Sequence, residues 1–595
     1  MVKKKALEFI VDCLIHNDIN TFFLVTGGAI VPTIDYIGTN TNARYYCFQH
    51  EQSAAMAAES YYRITGKLGV VLSTSGPGAQ NLLNGICGCW YDSIPCLFIT
   101  GQVSTYESIN SIKSNPRQLG FQEMPVVESF KPFTKYIKQI NINTIKDDIY
   151  QAITSALEGR PGPSLLDFPV DVQLSEVEDD LFKIKKPKLS INNNIIYSID
   201  LLKNKLSNSK RPLLLLGHGI RLSDAVNEIK ELINKLNIPF VVSWGGFDLI
   251  EHSHSNFIGT IGVYGSRGGN FAIQNCDLLI SIGSRLDTRQ TGGDLKTFSR
   301  NSYKVMVDID LNEINKGRGL NIDLPINCDA KIFINSCLNI LEPINIEKDW
   351  KKQCLDWSNL NLDKREPKEN LLTSYEFLEE LNHHLDDDSI IIPDEGGHLV
   401  WSMQSLKTKP NQRIFSNFGN SSMGYSLPAS IGASIATNKQ VICIDGDGGF
   451  QMNIQELQTV KHYNLPIKIF IMNNNCYGII KQFQDTYFDS RYIATEEQDY
   501  SVPNFIKIAE AYGIKSIEAN KNNYKEVINL ALKEKDSILV NVIIDKEQKL
   551  IPKLEFGNPL EDMFPYLDDD LIKENMIIPM IPRKDNTQGW VTLNK

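Results

Sequence analysis

Residues Gly446–Asn474 read GDGGFQMNIQELQTVKHYNLPIKIFIMNN, preceded by the apolar run Gln440–Ile444, QVICI. A short apolar run ending in Asp445-Gly446-Asp447-Gly448-Gly449 reads as a buried strand closing in a tight turn. The glycines let the backbone bend and leave amides free to face an anion. A helical segment around Ile454 to Tyr463 and a second apolar strand, Ile467 to Met472, return the chain to Asn473-Asn474. A right-handed strand, helix, strand crossover brings both carboxyl ends to one sheet edge, so Asp447 and Asn474 converge. Asp447, the amide oxygen of Asn474 and a main-chain carbonyl, with that of Cys476 as the candidate, suit Mg²⁺, which takes few protein oxygens and completes its shell with phosphate oxygens and water. Gly446, Gly448 and Gly449 then face the phosphate. A glycine-rich turn or a polar loop alone would be ordinary punctuation. The two together, with residues 449 to 472 between them, are specific.

The combination resembles the thiamine diphosphate (ThDP) motif of the ThDP-dependent decarboxylases and carboligases, GDG followed by NN after a helix and a strand. A second element stands at Phe48–Glu59, FQHEQSAAMAAE, where Glu51 opens an alanine-rich helix. A lone glutamate there would simply complement the helix dipole. With Gly69–Asn81, GVVLSTSGPGAQN, and Ile99–Val103, ITGQV, the region closely resembles the pyrimidine-binding domain of the acetolactate synthase group. The resemblance implies that Glu51 is the catalytic glutamate, bonded to N1′ of the cofactor's aminopyrimidine, and that Pro77 and Asn81 lie against the cofactor. It also implies that Glu51 reaches a cofactor whose diphosphate is held in another subunit, so that a monomer lacks a complete site. The protein's part is to prepare a cofactor that carries the carbanion chemistry.

Two further segments extend the likeness. Pro393–His398, PDEGGH, follows the strand Ser389–Ile392, and Gly396 and Gly397 suit a phosphate at a strand end, with His398 as a diphosphate donor. Asn420–Ala429, NSSMGYSLPA, resembles the family's GTMGYGLPA, in which the residue matching Met423 props the cofactor into its bent form. A methionine before a helix is otherwise more often core filling. The same resemblance places Gly28, in Gly27–Ile30, at the cofactor and Gln122 near the bound intermediate.

A chain of 595 residues holds three or four domains at roughly 100–200 residues each. A net charge of −11 argues against wholesale nucleic-acid binding. No run of about 18 apolar residues predicts a membrane span, and Met1–Lys5 leads into an amphipathic helix rather than a signal-peptide core, so a cytoplasmic location is expected. The 11 scattered cysteines read as free thiols, and Cys87-Gly88-Cys89 lacks the second ligand pair a zinc site needs. The expected organisation is α/β, three doubly wound parallel-sheet domains: a pyrimidine-binding domain over 1–185, a central domain over 190–345 and a diphosphate- and Mg²⁺-binding domain over 371–550. The charged stretch Lys183–Lys188 and the segment Trp350–Asn370 read as linkers. The tail, 551–595, shows little periodicity and is expected to pack on a neighbour or cover the site.

In the central block, Asp277–Gly292 resembles the acetolactate synthase segment around RFDDRVTG that embraces FAD, implying Arg285 and Arg289 as contacts. Asp308, after the strand that ends in Val307, suits a ribose or adenine hydrogen bond, and Asp329 a second adenosine contact by the same resemblance. Related enzymes keep this fold with no flavin or with another nucleotide; FAD in a structural role is the expectation.

The resemblance spans residues 4 to about 545, with departures at the acceptor end. The segment between Val103 and Phe121 is longer than in typical acetolactate synthases. Val170 stands where the family usually has lysine, and Phe483 where a tryptophan commonly shapes the acceptor pocket. The longer segment and the tail, Lys553–Met563, look like the acetolactate-synthase-like proteins of surface-polysaccharide pathways. The expected function is a ThDP- and Mg²⁺-dependent carboligase that decarboxylates a 2-oxo acid, pyruvate foremost, and passes the two-carbon unit to a carbonyl acceptor such as a keto-sugar nucleotide. It would work as a homodimer or homotetramer with shared sites. The rivals are acetolactate synthase proper, an FAD-linked pyruvate oxidase, and a non-catalytic scaffold of the same fold.

Overall fold

The computed structural model describes residues 3–114, 116–184, 193–344, 348–360, 362–363, 365, 367–581 and 583. Three six-stranded sheets, every pairing parallel, organise the chain. Their inner strands are mostly apolar and buried on both faces, as helices on either side of a parallel sheet require. The first sheet holds Thr21–Leu24, Arg44–Cys47, Val70–Ser73, Leu97–Gln102, Tyr136–Gln139 and Ser164–Pro169; numbered in chain order, its strands lie 2-1-3-4-6-5. The last sheet, Ile390–Pro393, Arg413–Ile414, Val441–Gly446, Ile467–Asn473, Lys515–Ala519 and Ile538–Ile543, has the same order. The middle sheet differs. Its strands Pro212–Leu216, Phe240–Val242, Phe257–Thr260, Leu278–Ile282, Tyr303–Asp308 and Leu324–Asn327 lie 3-2-1-4-5-6, the order of a dinucleotide-binding doubly wound sheet. The three-sheet α/β fold is as expected.

The first and last sheets meet through the helices Glu51–Thr65 and Ser426–Thr437. Small residues allow it: a Cβ on Gly432 would stand 2.0 Å from the Ala57 carbonyl oxygen, and Ala54, Ala57, Ala58, Leu427 and Ile431 share one core. Glu456 clamps the junction, accepting from the amides of Gln49 and His50 at the mouth of the Glu51 helix.

Two segments differ from the sequence reading. Residues Lys348–Asn359 of the expected linker form a helix, because Trp350, Cys354 and Trp357 share one face at spacings of four and three. That face is buried on the central sheet, with Trp350 Nε1 donating to the Pro212 carbonyl. Of the tail, the described residues 551–581 pack on the chain's own central domain: Leu554, Leu560, Met563 and Ile572 join the core of Trp350 and Trp357, and Asp569–Asn575 is helical, while 582 and 584–595 lie outside the described residues. Its apolar residues are too widely spaced to show a period. Of the charged linker, residues 185–188 lie outside the described residues. No described helix is long and apolar enough to cross a membrane.

Candidate functional site

At the carboxyl edge of the last sheet, the turn after Val441–Gly446 and the end of Ile467–Asn473 meet. Asp447 Oδ2 accepts from the amides of Asn474 at 3.1 Å and Asn475 at 2.7 Å, and Oδ1 accepts from the Tyr500 hydroxyl at 2.9 Å. Burial pushes the Asp447 carboxyl up to about 6, against those three donors and the charge of His398. One terminal atom of the Asn474 amide lies 2.8 Å from the Cys476 carbonyl oxygen and 3.2 Å from Asp447 Oδ2. With nitrogen inward, the amide donates to both. With oxygen inward, it stands from each of those two oxygens at the spacing of adjacent ligands on an octahedral shell, about 3.0 Å for metal–oxygen bonds of about 2.1 Å. The donor set fits a small hard cation such as Mg²⁺.

The flanking glycines are places where a side chain would not fit. A Cβ on Gly396 or Gly446 would stand 2.6 Å from the His398 ring, and one on Gly448 2.4 Å from Tyr477 Cε1. His398 is buried, and its Nε2 has no hydrogen-bond partner among the described residues, an orphaned group that suits a diphosphate oxygen. Gly397 begins the helix that carries it. Asp394, fully buried, accepts from the amides of Gly424, Tyr425 and Ser426, which locks the Pro393–His398 turn to the segment bearing half-buried Met423. Asp394, Asp445 and His398 cluster, but the amides and Ser426 already occupy the two carboxyl groups. Asp445 is held well above the usual carboxylate range by burial and by the charge of Asp394.

On the first sheet, Glu51 is buried at the start of its helix and its Oε2 accepts from Asn81 Nδ2 at 2.9 Å. Asn81 ends the short helix opened by Pro77, and a Cβ on Gly78 would lie 3.2 Å from Glu51 Oε1. Gln122, in the left-handed region at φ 62°, closes over Gly76, whose own φ is 57°. Gly28 is exposed at the end of Thr21–Leu24, with nothing within 4 Å of where a Cβ would stand. Glu51, Asn81, Pro77 and Gln122 thus surround the Gly76–Gly78 turn. No hydrogen bond among the described residues joins them to Asp447 or Asn474. Sequence reasoning missed Tyr477 and Tyr500, whose rings lie 4.3 Å apart, tilted by 45°, at the Gly448 backbone. Tyr500 lies beyond any local spacing signal.

A cavity of about 1010 Å³ opens where the middle sheet reverses direction, between Pro212–Leu216 and Leu278–Ile282. Dinucleotides bind at this switch point in such sheets. The turns Gly217-His218-Gly219 and Gly283-Ser284-Arg285 cross there, a Cβ on Gly217 falling 2.2 Å from the Gly283 oxygen. Arg285, Arg289, Asp308 and Asp329 all line the cavity. Arg285 donates to the Tyr91 carbonyl at 3.0 Å. Arg289 lies over the Trp244 ring, 3.5 Å from Glu395 of the Pro393–His398 turn, with its Nη1 buried and unpartnered among the described residues. Burial pushes Asp308 up to about 6. Asp329 caps the helix Ala330–Ile340, Oδ1 accepting from the amides of Lys331 and Ile332. Size, topology and orphaned donors fit a dinucleotide such as FAD. His218 and Trp244 also line the cavity; the only sequence sign of them is the glycine-flanked turn at 217–219.

Comparison with known proteins matches three family models to the chain. Residues 4–128 match the thiamine pyrophosphate enzyme N-terminal TPP binding domain, 199–337 the central domain and 394–542 the C-terminal TPP binding domain. The chain is 31% identical over 562 residues to the acetolactate synthase isozyme 2 large subunit of Escherichia coli (strain K12), spanning 93% of this chain and 98% of that one. It is 33% identical over 584 residues to the acetolactate synthase large subunit of Cyanidium caldarium, at 95% and 97% coverage. The probable acetolactate synthase large subunit of Methanococcus aeolicus is 34% identical over 552 residues, at 89% of each chain.

Proposed function

Because the chain belongs to the acetolactate synthase large-subunit family of thiamine-diphosphate-dependent enzymes, we propose that it decarboxylates a 2-oxo acid, pyruvate foremost, and transfers the two-carbon unit to a carbonyl acceptor. The observation that carries the reading is the meeting of Asp447, Asn474 and Cys476 oxygens beside the free Nε2 of His398. These four would hold Mg²⁺ and the cofactor's diphosphate, with Gly446, Gly448 and Gly449 giving the phosphates room. ThDP, when bound, supplies the carbanion chemistry. Glu51, steadied by Asn81, holds a proton at Oε1 or Oε2 and passes it at the pyrimidine ring. Met423 would support the cofactor, Gly28 would lie at it, and Gln122 would border the substrate. FAD would occupy the central cavity on Arg285, Arg289, Asp308 and Asp329.

A second copy of the chain completes the site in this reading, as a homodimer or homotetramer. Its support is the exposure of large apolar residues around both halves: Phe121 is 86% exposed beside Gln122, and Leu83 and Met452 are exposed near Asn81 and Met423. For the acceptor we propose a keto-sugar nucleotide over a second 2-oxo acid. Phe483 packs with Tyr487 and Phe556, and the buried Lys553 ammonium lies 5.7 Å from the Phe483 ring centre, a surface that suits a large, aromatic, anionic acceptor. The relatives' names favour acetolactate synthesis itself, and one assay separates the two. Purified protein is incubated with ThDP, Mg²⁺ and pyruvate, and CO₂ and acetolactate are followed by mass spectrometry. Slow CO₂ release with little acetolactate, accelerated by a keto-sugar nucleotide, is expected. Acetolactate formed at a catalytic rate from pyruvate alone would assign the amino-acid-type reaction instead.

A further inference from the structure

The first crossover turn of a dinucleotide-binding sheet ordinarily lays the ligand's pyrophosphate on backbone amides. Here that turn is Gly217-His218-Gly219, and a side chain intervenes. His218 Nδ1 lies 3.2 Å from the Gly245 carbonyl oxygen. A carbonyl only accepts, so Nδ1 carries the proton, and in a neutral imidazole the other nitrogen is then a bare acceptor. The ring is neutral: burial, then the charges of Arg63 and Arg221, push it down to about 3, against Asp248 and the bond to Gly245. His218 lines the cavity, and its Nε2 is buried with no partner among the described residues. A buried acceptor left without a donor is costly. A phosphate oxygen brought to it would set a lone pair against an anion.

We infer that His218 Nε2 accepts a hydrogen bond from an N–H or O–H group of the cavity's ligand, and so keeps the ligand's phosphates off the first crossover turn. The phosphates then fall to the side of the crevice where Arg285 and Arg289 stand, since Arg63 and Arg221, whose charges bear on His218, are ion-paired with Glu59 and Asp92 and with Asp248. The inference rests on the dinucleotide reading above. It makes His218 a determinant of which way a dinucleotide lies in the crevice: a ribityl or ribose hydroxyl, or a ring N–H, meets the first strand's turn, and the diphosphate meets the fourth strand's.

The test is affinity of the purified full chain for FAD, by quenching of flavin fluorescence, with ADP titrated in parallel by calorimetry. His218→Gln keeps an acceptor near the position of Nε2 and is expected to bind FAD within threefold of wild type. His218→Leu removes the acceptor and is expected to bind at least tenfold more weakly, about 1.4 kcal/mol. Thermal melts of both variants are compared with wild type, and the Gln and Leu pair isolates the acceptor from mere packing. Equal affinity of the Leu variant, or tighter binding by His218→Lys, would overturn the inference, the latter by revealing a phosphate at the turn. So would wild-type FAD affinity that rises tenfold between pH 7.5 and pH 5.5, since a ring that takes a proton on Nε2 is no acceptor. Binding of ADP but not FAD would sink the flavin reading alone, and the acceptor then stands or falls on the same variants titrated with ADP. Wild-type protein that binds neither overturns both.

Discussion

Asp447 is proposed to hold a cation, and its carboxylate is buried with no cationic side chain in salt-bridge contact among the described residues, so the metal-free protein should be made less stable by the group that its function needs. Burial raises the carboxyl from 3.8 to about 6. An acid raised by folding binds more protons in the native state than in the unfolded one between those two values. Stability therefore falls as pH rises through that window and stays lowered above it. About two units correspond to about 3 kcal/mol at pH 7.5 and roughly half of that at pH 5. Asp447→Asn mimics the protonated acid: its amide oxygen can accept from Asn474 and Asn475, and its nitrogen can donate to the Tyr500 oxygen. Chelator-treated Asp447→Asn should thus melt several degrees above chelator-treated wild type at pH 7.5, with a smaller gap at pH 5. Mg²⁺ with ThDP should reverse the order at pH 7.5 by stabilising wild type alone. Differential scanning calorimetry at both pH values, with and without Mg²⁺ and ThDP, makes the comparison. A metal-free variant no more stable than wild type at pH 7.5, or equal stabilisation of both proteins by Mg²⁺, would refute the reasoning.

Glu51→Gln preserves the contact with Asn81 but cannot pass a proton; turnover is expected to drop at least about 100-fold while ThDP affinity stays within about threefold, read by steady-state assay and calorimetry. Gly448→Ala drives a Cβ to 2.4 Å from Tyr477 and 3.1 Å from the Tyr500 hydroxyl, which displaces the turn that carries Asp447. Half-saturation by Mg²⁺ should rise about tenfold or more, a loss of about 1.4 kcal/mol. Phe483→Trp enlarges the aromatic cluster proposed to meet the acceptor and should raise the share of pyruvate converted to acetolactate, measured by mass spectrometry with and without a keto-sugar nucleotide. Trp357→Ala opens the core beneath the tail and removes the bond from its Nε1 to Asn575; a loss of about 3–5 kcal/mol and early proteolysis after residue 550 are expected.

What could be read from the chain depended on how local each feature is. The strand, turn and glycine run before Asp447, and the strand before Asn474, declare themselves within one crossover unit. Their side-by-side placement follows from the handedness of that crossover. The Glu51 helix is legible for the same reason, as is the three-sheet fold, because buried parallel strands are continuous apolar runs. Tyr500 was not, since it reaches Asp447 from 53 residues away on a connection with no period of its own. Nor was the helix Lys348–Asn359, whose lysines and aspartates disguise a three-residue buried face. The tail's residues at 554, 560, 563 and 572 belong to a core built by a domain some 200 positions earlier. His218 stands in a short glycine-flanked turn, and only the fold puts its ring at a switch point.

The shared strand order of the first and last sheets makes one helix of each the counterpart of the other. The helices Glu51–Thr65 and Ser426–Thr437 each follow the second strand of their sheet and precede the third, so they are the same part of two copies of one plan. They pack on each other, the Ala57 backbone against Gly432. A contact between equivalent faces is what a homodimer makes, and here both faces lie on one polypeptide with a third sheet spliced between them. In the proposed reading one half takes the cofactor's ring and the other its phosphates and ion, and the two stay in contact only while the alanines of one helix and the glycine of the other stay small together.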